Sequence, residues 1–191
     1  PDNRYNSLSL NWAFTDLPMG SRISATTSKG WMYQNDALVP YTTNTAIKTG
    51  AVSGVAGKTV PFNAYDPANL PQTNVDAKVE TQLINLAFVS KPLTFADIKA
   101  NYRNYTYANN TGVITFPGYA RFDAVWEPDS ISNTPQSFKK ETSGVDVSLD
   151  LHKMTKVLFK NTKLNLAYTS DKMNRSEREV NSSEDNRYKA S

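Results

Sequence analysis

Cysteine is absent from this chain of 191 residues, and histidine occurs once. The first absence excludes disulfides, thiolate metal sites and any Cys-x-x-Cys-His haem attachment. Covalent haem on the chain itself is therefore not expected. A long apolar run is also missing. Hydrophobic residues make up 39% of the chain and mean hydropathy is −0.54. No window approaches the roughly 18 consecutive apolar residues of a spanning helix. That excludes a helical membrane protein but not one that crosses with strands, because a spanning strand shows lipid only its alternate residues. Charge of one sign is not concentrated either. Net charge is +3, and no Lys/Arg run is long enough for a nucleic-acid stripe. The chain opens at Pro1-Asp2-Asn3 without methionine or signal peptide and ends at Arg187-Tyr188-Lys189-Ala190-Ser191. Both ends are expected to be cuts in a longer protein, so the missing signal carries no message about secretion.

What is present is a rhythm. Leu8, Leu10, Trp12 and Phe14 alternate with Ser7, Ser9, Asn11 and Ala13, which predicts a strand over about Tyr5 to Phe14. A short break at Asp16 to Ser21 leads to a second strand, about Arg22 to Tyr33, ending on Trp31 and Tyr33. A long loop from Gln34 to about Asn74 follows, with Pro40, Pro61, Pro67 and Pro71 and with Gly50, Gly54 and Gly57. The third strand, about Val75 to Ser90, carries two competing apolar phases. A bulge near Leu83-Ile84 or burial on both faces would each account for them. After the tight turn Lys91 to Thr94, the fourth strand (about Phe95 to Tyr107) sets Ala96, Ile98, Ala100 and Tyr102 against Asp97, Lys99, Asn101 and Arg103. A loop from about Ala108 to Ser143 precedes the fifth strand, where Val145, Val147, Leu149 and Leu151 alternate with Asp146, Ser148, Asp150 and His152. A short connection at Lys153 to Lys156 leads to the sixth strand, with Leu164, Leu166 and Tyr168 in one phase. A polar loop, Asp171 to Asp185, precedes a truncated seventh.

Short turns at one end and long loops at the other are the layout of an outer-membrane barrel. The expected fold is therefore all-β: an antiparallel transmembrane β-barrel or part of one, with short turns on the periplasmic side and long loops outside. Residues 1–191 make one partial barrel domain of about six strands plus the start of a seventh. Leu8, Leu10, Val147, Leu149, Leu164 and Leu166 are candidates to face lipid. Asp97, Lys99, Asn101, Arg103, Asp146 and Asp150 are candidates to face a lumen or a partner within it, since unpaired charge is costly in an apolar medium. A soluble extracellular β-sandwich that binds ligands is an alternative fold, although sandwiches usually mix hairpin and Greek-key connections.

No catalytic constellation stands out. Asp150 and His152 share a phase, but a triad is recognised by geometry, and an Asp-x-His pair on a strand is more often solvated. Glu141, Asp146 and Asp150 lack the Asp-x-Asp-x-Asp-Gly spacing of a calcium loop. The Gly50 to Gly57 stretch lacks the Gly-Lys-Ser/Thr ending of a phosphate loop. The chain is not expected to be an enzyme, nor to hold a metal or cofactor.

Several strings carry a resemblance. Gln34-Asn35-Asp36-Ala37-Leu38-Val39-Pro40-Tyr41-Thr42 resembles a segment of the MtrB/PioB family of decahaem-associated outer-membrane proteins. So do Ser90-Lys91-Pro92-Leu93, Tyr102-Arg103-Asn104-Tyr105 and Asn109-Asn110-Thr111. Phe116-Pro117-Gly118-Tyr119-Ala120-Arg121 and Arg178-Glu179-Val180 are similar to further family strings, in the same order. The resemblance implies a bacterial outer-membrane barrel that sheathes a periplasmic multihaem c-type cytochrome for extracellular electron transfer. It also implies that haem is carried by that partner, and that an extracellular multihaem cytochrome can meet it. An open porin for small solutes is the alternative within the same fold.

Overall fold

The computed structural model describes residues 3–47, 63–155 and 162–191. The opening Pro1-Asp2, the Gly50 to Gly57 stretch, Pro61 and Lys156 lie outside the described residues. Alternating sequence becomes long strands. β1 (Asn3–Leu17) and β2 (Ser21–Gln34) are joined by a single 3-10 turn at Pro18–Gly20. Gly20 takes φ 58° there, a left-handed conformation that suits glycine. β3 (Ala77–Leu93) and β4 (Ala96–Asn109) form the next hairpin. The connection after β4 contains β5 (Ile114–Phe116), β6 (Tyr119–Arg121), β7 (Val125–Glu127) and β8 (Ile131–Asn133). β9 (Phe138–Asp150), the one-turn helix α1 (Leu151–Met154), β10 (Lys163–Arg175) and β11 (Ser182–Ala190) complete the chain.

The long strands build a 7-stranded sheet in the order β1-β2-β3-β4-β9-β10-β11, and β4, β9, β10 and β11 pair antiparallel. β1 and β11 are its edges, so these strands do not close on themselves. A barrel needs at least 8 strands. The sheet is thus an open, antiparallel piece of barrel wall.

Three expectations about boundaries change. β9 begins at Phe138 and β10 runs to Arg175, where loops were expected. The added residues include Lys139, Lys140, Glu141, Asp171 and Lys172, whose charge hides the period that marks a strand. The long connection after β4 also holds structure: β5 pairs with β8 and β6 with β7, each only 3 residues long and too short to show a period. Finally, β9 stops at Asp150, whose side chain accepts from the Lys153 backbone N–H and caps α1. Leu151 and His152 therefore leave the strand, and the alternation expected to run through His152 ends at Asp150.

The competing phases of β3 resolve through its neighbours, because side chains that touch across adjacent strands share a face. Ser21 donates to Ser90 at 2.9 Å, and Lys29 pairs with Glu80 at 3.1 Å. Odd-numbered β2 residues meet even-numbered β3 residues at both contacts. One phase thus carries through the strand, and no single bulge intervenes. Ile84, Leu86 and Phe88 lie with Ser90, whereas Leu83, Ala87 and Val89 lie with Lys91.

The chain divides into two compact units. The sheet unit comprises Asn6–Trp31, Glu80–Ala108 and Gln136–Ser191. Among its described residues the only buried hydrophobic side chains are Ala25 and Ala96. The loop unit comprises Pro1–Tyr5, Met32–Val79 and Asn109–Pro135. It does have a core: Ile47 and Ala64 are buried, with Tyr41, Ala120 and Trp126 packed against them.

Candidate functional site

The site is the pair of faces that the sheet presents. Register assigns them, since directly paired residues project to the same side. One set of rows is apolar. Ala96, Leu149 and Leu164 align across β4, β9 and β10; Ile98, Val147, Leu166 and Ala190 form the next row, continuing into β11; Ala100, Val145, Tyr168 and Tyr188 form the third. The opposite face is polar. Asp97, Ser148 and Asn165 align there, as do Lys99, Asp146, Ala167 and Lys189. Arg103, Thr142, Asp171 and Asp185 make a further row.

Side-chain contacts extend both faces to β1. Lys91 reaches Asp97 at 3.5 Å, which places odd-numbered β3 residues on the polar face. Thr26 donates to Asn11 at 2.7 Å, which sets Asn11 on that face too. Leu8 and Leu10 are in the other phase and join the apolar rows. The Val147, Leu149, Leu164 and Leu166 candidates lie with them. Asp97, Lys99, Asn101, Arg103 and Asp146 gather on the polar face. Asp150 occupies its last position, engaged with Lys153 at 3.5 Å and capping α1.

The apolar face is uncovered. Leu8 is 61% exposed, Leu10 60% and Leu166 44%, and they belong to a run of apolar side chains that crosses every strand of the sheet. Water-soluble monomers rarely show a contiguous apolar area of that extent. A sandwich would bury this face under a second sheet, whereas Leu8, Leu10 and Leu166 stand open.

Charge is handled differently on the two faces. Above the apolar rows of β2 to β11, on the same face, the described ions occur in pairs. Glu141 binds Lys139 at 3.0 Å and accepts from the Tyr102 hydroxyl and the Asn104 amide. Lys172 binds Glu184 at 3.1 Å, and Lys29 binds Glu80. On the polar face, Arg187 gathers Asp171 and Asp185, while Thr142 donates to Asp171 at 2.6 Å. Yet Lys99, Arg103, Lys140, Lys163 and Lys189 make no ion pair with any described residue. Charges beside a low-dielectric medium must be paired; charges beside water need not be.

The polar face also carries an aromatic patch that the sequence reading missed. Tyr107 stacks on Phe138 with centroids 5.2 Å apart, and Tyr105 lies 5.8 Å from the same ring. Arg175 donates to the Met173 sulfur beside them at 3.0 Å. Tyr105 and Tyr107 continue the phase of Lys99 and Arg103, which was the available signal. Phe138 was hidden inside an expected loop.

Three of the family-like strings, Gln34 to Thr42, Asn109 to Thr111 and Phe116 to Arg121, fall in the loop unit. Gln34 donates to Asp36 at 2.7 Å, and Val75 donates to the Asp36 carbonyl at 2.9 Å. Beyond Pro40, Tyr41 packs edge-on against Phe116 and Trp126, with centroids 5.9 and 5.1 Å away. Burial pushes the Tyr41 hydroxyl up to about 12. Gly118 follows Pro117 beneath the Trp126 ring, and a Cβ there would come within 2.6 Å of that ring. Asp123 accepts from Thr42, and its carbonyl accepts from Asn44 at 2.9 Å, tying the two loops together. Arg178 and Glu179 instead lie exposed in the β10–β11 connection.

A family model described as "Putative outer membrane beta-barrel porin, MtrB/PioB" matches residues 1–191. No curated protein matches the chain.

Proposed function

Because this chain belongs to the MtrB/PioB family of outer-membrane β-barrel porins, and so to the bacterial outer membrane, we propose that it is wall from a barrel that sheathes a multihaem c-type cytochrome. The apolar rows of Leu8, Leu10, Val147, Leu149, Leu164 and Leu166 meet acyl chains. Ladder hydrogen bonds keep the backbone satisfied within the sheet, so no unpaired polar group faces lipid. The polar face lines the lumen and meets the cytochrome. Haem and electrons belong to that partner; the chain itself binds no cofactor and catalyses no reaction. Its work is to exclude lipid and to hold the conduit in place, with an extracellular multihaem cytochrome as a further contact.

The observation that carries the reading is the aromatic patch of Tyr105, Tyr107 and Phe138 on the charged face, which also holds Leu83, Ala87 and Val89 of β3. A pore filled only with water has no use for it; a lumen filled by protein does. The uncompensated cations on that face also support the open-porin alternative, because water can solvate them. Purification of the full-length protein from outer membranes in mild detergent separates the two. Co-elution of c-type haem absorbance in fixed ratio is expected. Haem-free protein that conducts ions freely in planar bilayers overturns the sheath.

A further inference from the structure

We propose that the polar face is a cationic docking surface for an acidic, carboxylate-rich protein surface; this rests on the sheath reading and specifies its partner's chemistry. Lys99 and Lys189 stand in one row, separated by Asp146 and Ala167. At about 4.8 Å per strand they lie roughly 14 Å apart. Arg103 sits four positions along β4 from Lys99, about 13 Å away at strand rise. Lys140 lies beside it, one row further, opposite Tyr105. Asp146 is the carboxylate within this area that has no ion pair among the described residues. Asp97 is held by Lys91, and Asp171 and Asp185 share the single charge of Arg187, so that Lys99, Arg103, Lys140 and Lys189 outnumber the carboxylate of Asp146 and the one charge left over in that trio.

The arrangement leaves positive charge in excess where a partner is expected. The wall between the cations is low. Asn101, Thr169 and Ala167 separate them, and the Asn101 amide lies over Gly144, whose added Cβ would come within 2.7 Å of it. A protein surface can thus approach the backbone while its carboxylates reach the long Lys and Arg side chains at the margins. Exposed cations of this kind set partner choice and encounter rate more than binding strength, and salt screens them. The opposite face supplies the internal control, since its lysines are already neutralised by Glu80, Glu141 and Glu184.

The test uses the full-length barrel expressed without a cytochrome, so that its lumen is empty, in planar bilayers with poly-L-glutamate as probe. The wild type is expected to favour chloride over potassium in a KCl gradient and to be blocked by poly-L-glutamate at low salt. The Lys99→Glu/Arg103→Glu variant is expected to raise the half-blocking concentration by roughly tenfold or more, and 1 M KCl is expected to abolish block. The neutral Lys99→Gln/Arg103→Gln pair should fall between, and heat-modifiable gel migration reports that each variant has folded. Potassium selectivity, or block that charge reversal leaves unchanged, overturns the proposal. Where haem protein co-purifies and closes the pore, retention of haem by the same variants is read at 50 and 500 mM salt; salt-insensitive retention equal to wild type overturns it equally. An anion-selective barrel that never carries haem sinks the sheath and leaves the cationic surface standing, so the two failures are distinguishable.

Discussion

The sheet unit buries no large apolar side chain among its described residues, whereas the loop unit packs a small core. On the sheet, Leu8, Leu10, Trp12 and Phe14 stand exposed, and nothing larger than alanine is buried among its described apolar residues. In the loop unit, Ile47 and Ala64 are covered and Tyr41 and Trp126 pack edge to face. The same chain follows opposite burial rules. Water demands a packed core of the loop unit; a sheet that meets lipid, as proposed, needs none.

The sharpest break of this comparison is a charge set on the uncovered face. Leu166→Arg is expected to destabilise the folded barrel by roughly 2–4 kcal/mol if it sits near mid-membrane. Asn165→Arg, one residue away on the polar face, should change stability by no more than about 0.5 kcal/mol. Urea titration of both variants folded into vesicles gives the difference; equal costs would mean that the two faces share one solvent.

The loop unit should fail in the ordinary manner of a packed core. Gly118→Ala drives a methyl into the Trp126 ring and is expected to cost about 1–3 kcal/mol. Limited proteolysis should then cut within the 109–135 segment while the sheet stays resistant. Gly144→Ala is the matching change in the sheet. It meets only the movable Asn101 amide, and it should leave protease resistance unaltered.

Alkali sharpens the contrast more gently. The Tyr41 pKa is raised by burial to about 12, against an ordinary 10. The folded unit therefore holds the phenol proton more tightly than the unfolded chain does. That stability is complete below pH 10 and is lost as pH rises from 10 toward 12. Loop proteolysis should accelerate across that window, and Tyr41→Phe should remove the dependence. The smallest effect belongs to the exposed pair Lys172 and Glu184. Glu184→Gln should lower the urea midpoint slightly at low salt and not at all in 1 M KCl.

Much of the sheet was legible because strands that separate lipid from water must alternate. Leu149 and Asp146 fell into their phases on pattern alone. The ends of the strands were not legible. Past the apolar rows, Lys139 to Glu141 and Asp171 to Arg175 remain extended, but both faces there are polar and the period disappears. The aromatic patch escaped for the same reason. The loop strings were visible as strings, but the packing of Tyr41 on Phe116 and Trp126 joins residues 75 and more positions apart, which no local pattern reports.

By itself, the sequence determined which residues share a face within a strand, that the β1–β2 and β3–β4 connections are short, and that the 191 residues hold no Cys-x-x-Cys-His motif. Those properties are local: they follow from the two-residue period of a strand and from side-chain chemistry. Tertiary structure alone decided the register between strands, and with it three things: the phase of β3, the rows that bring Lys99 and Lys189 to one face, and the pairs Lys29–Glu80 and Lys172–Glu184 that join neighbouring strands on the other. Register is set by contacts between residues far apart in the chain, and a shift of one position would exchange the two faces.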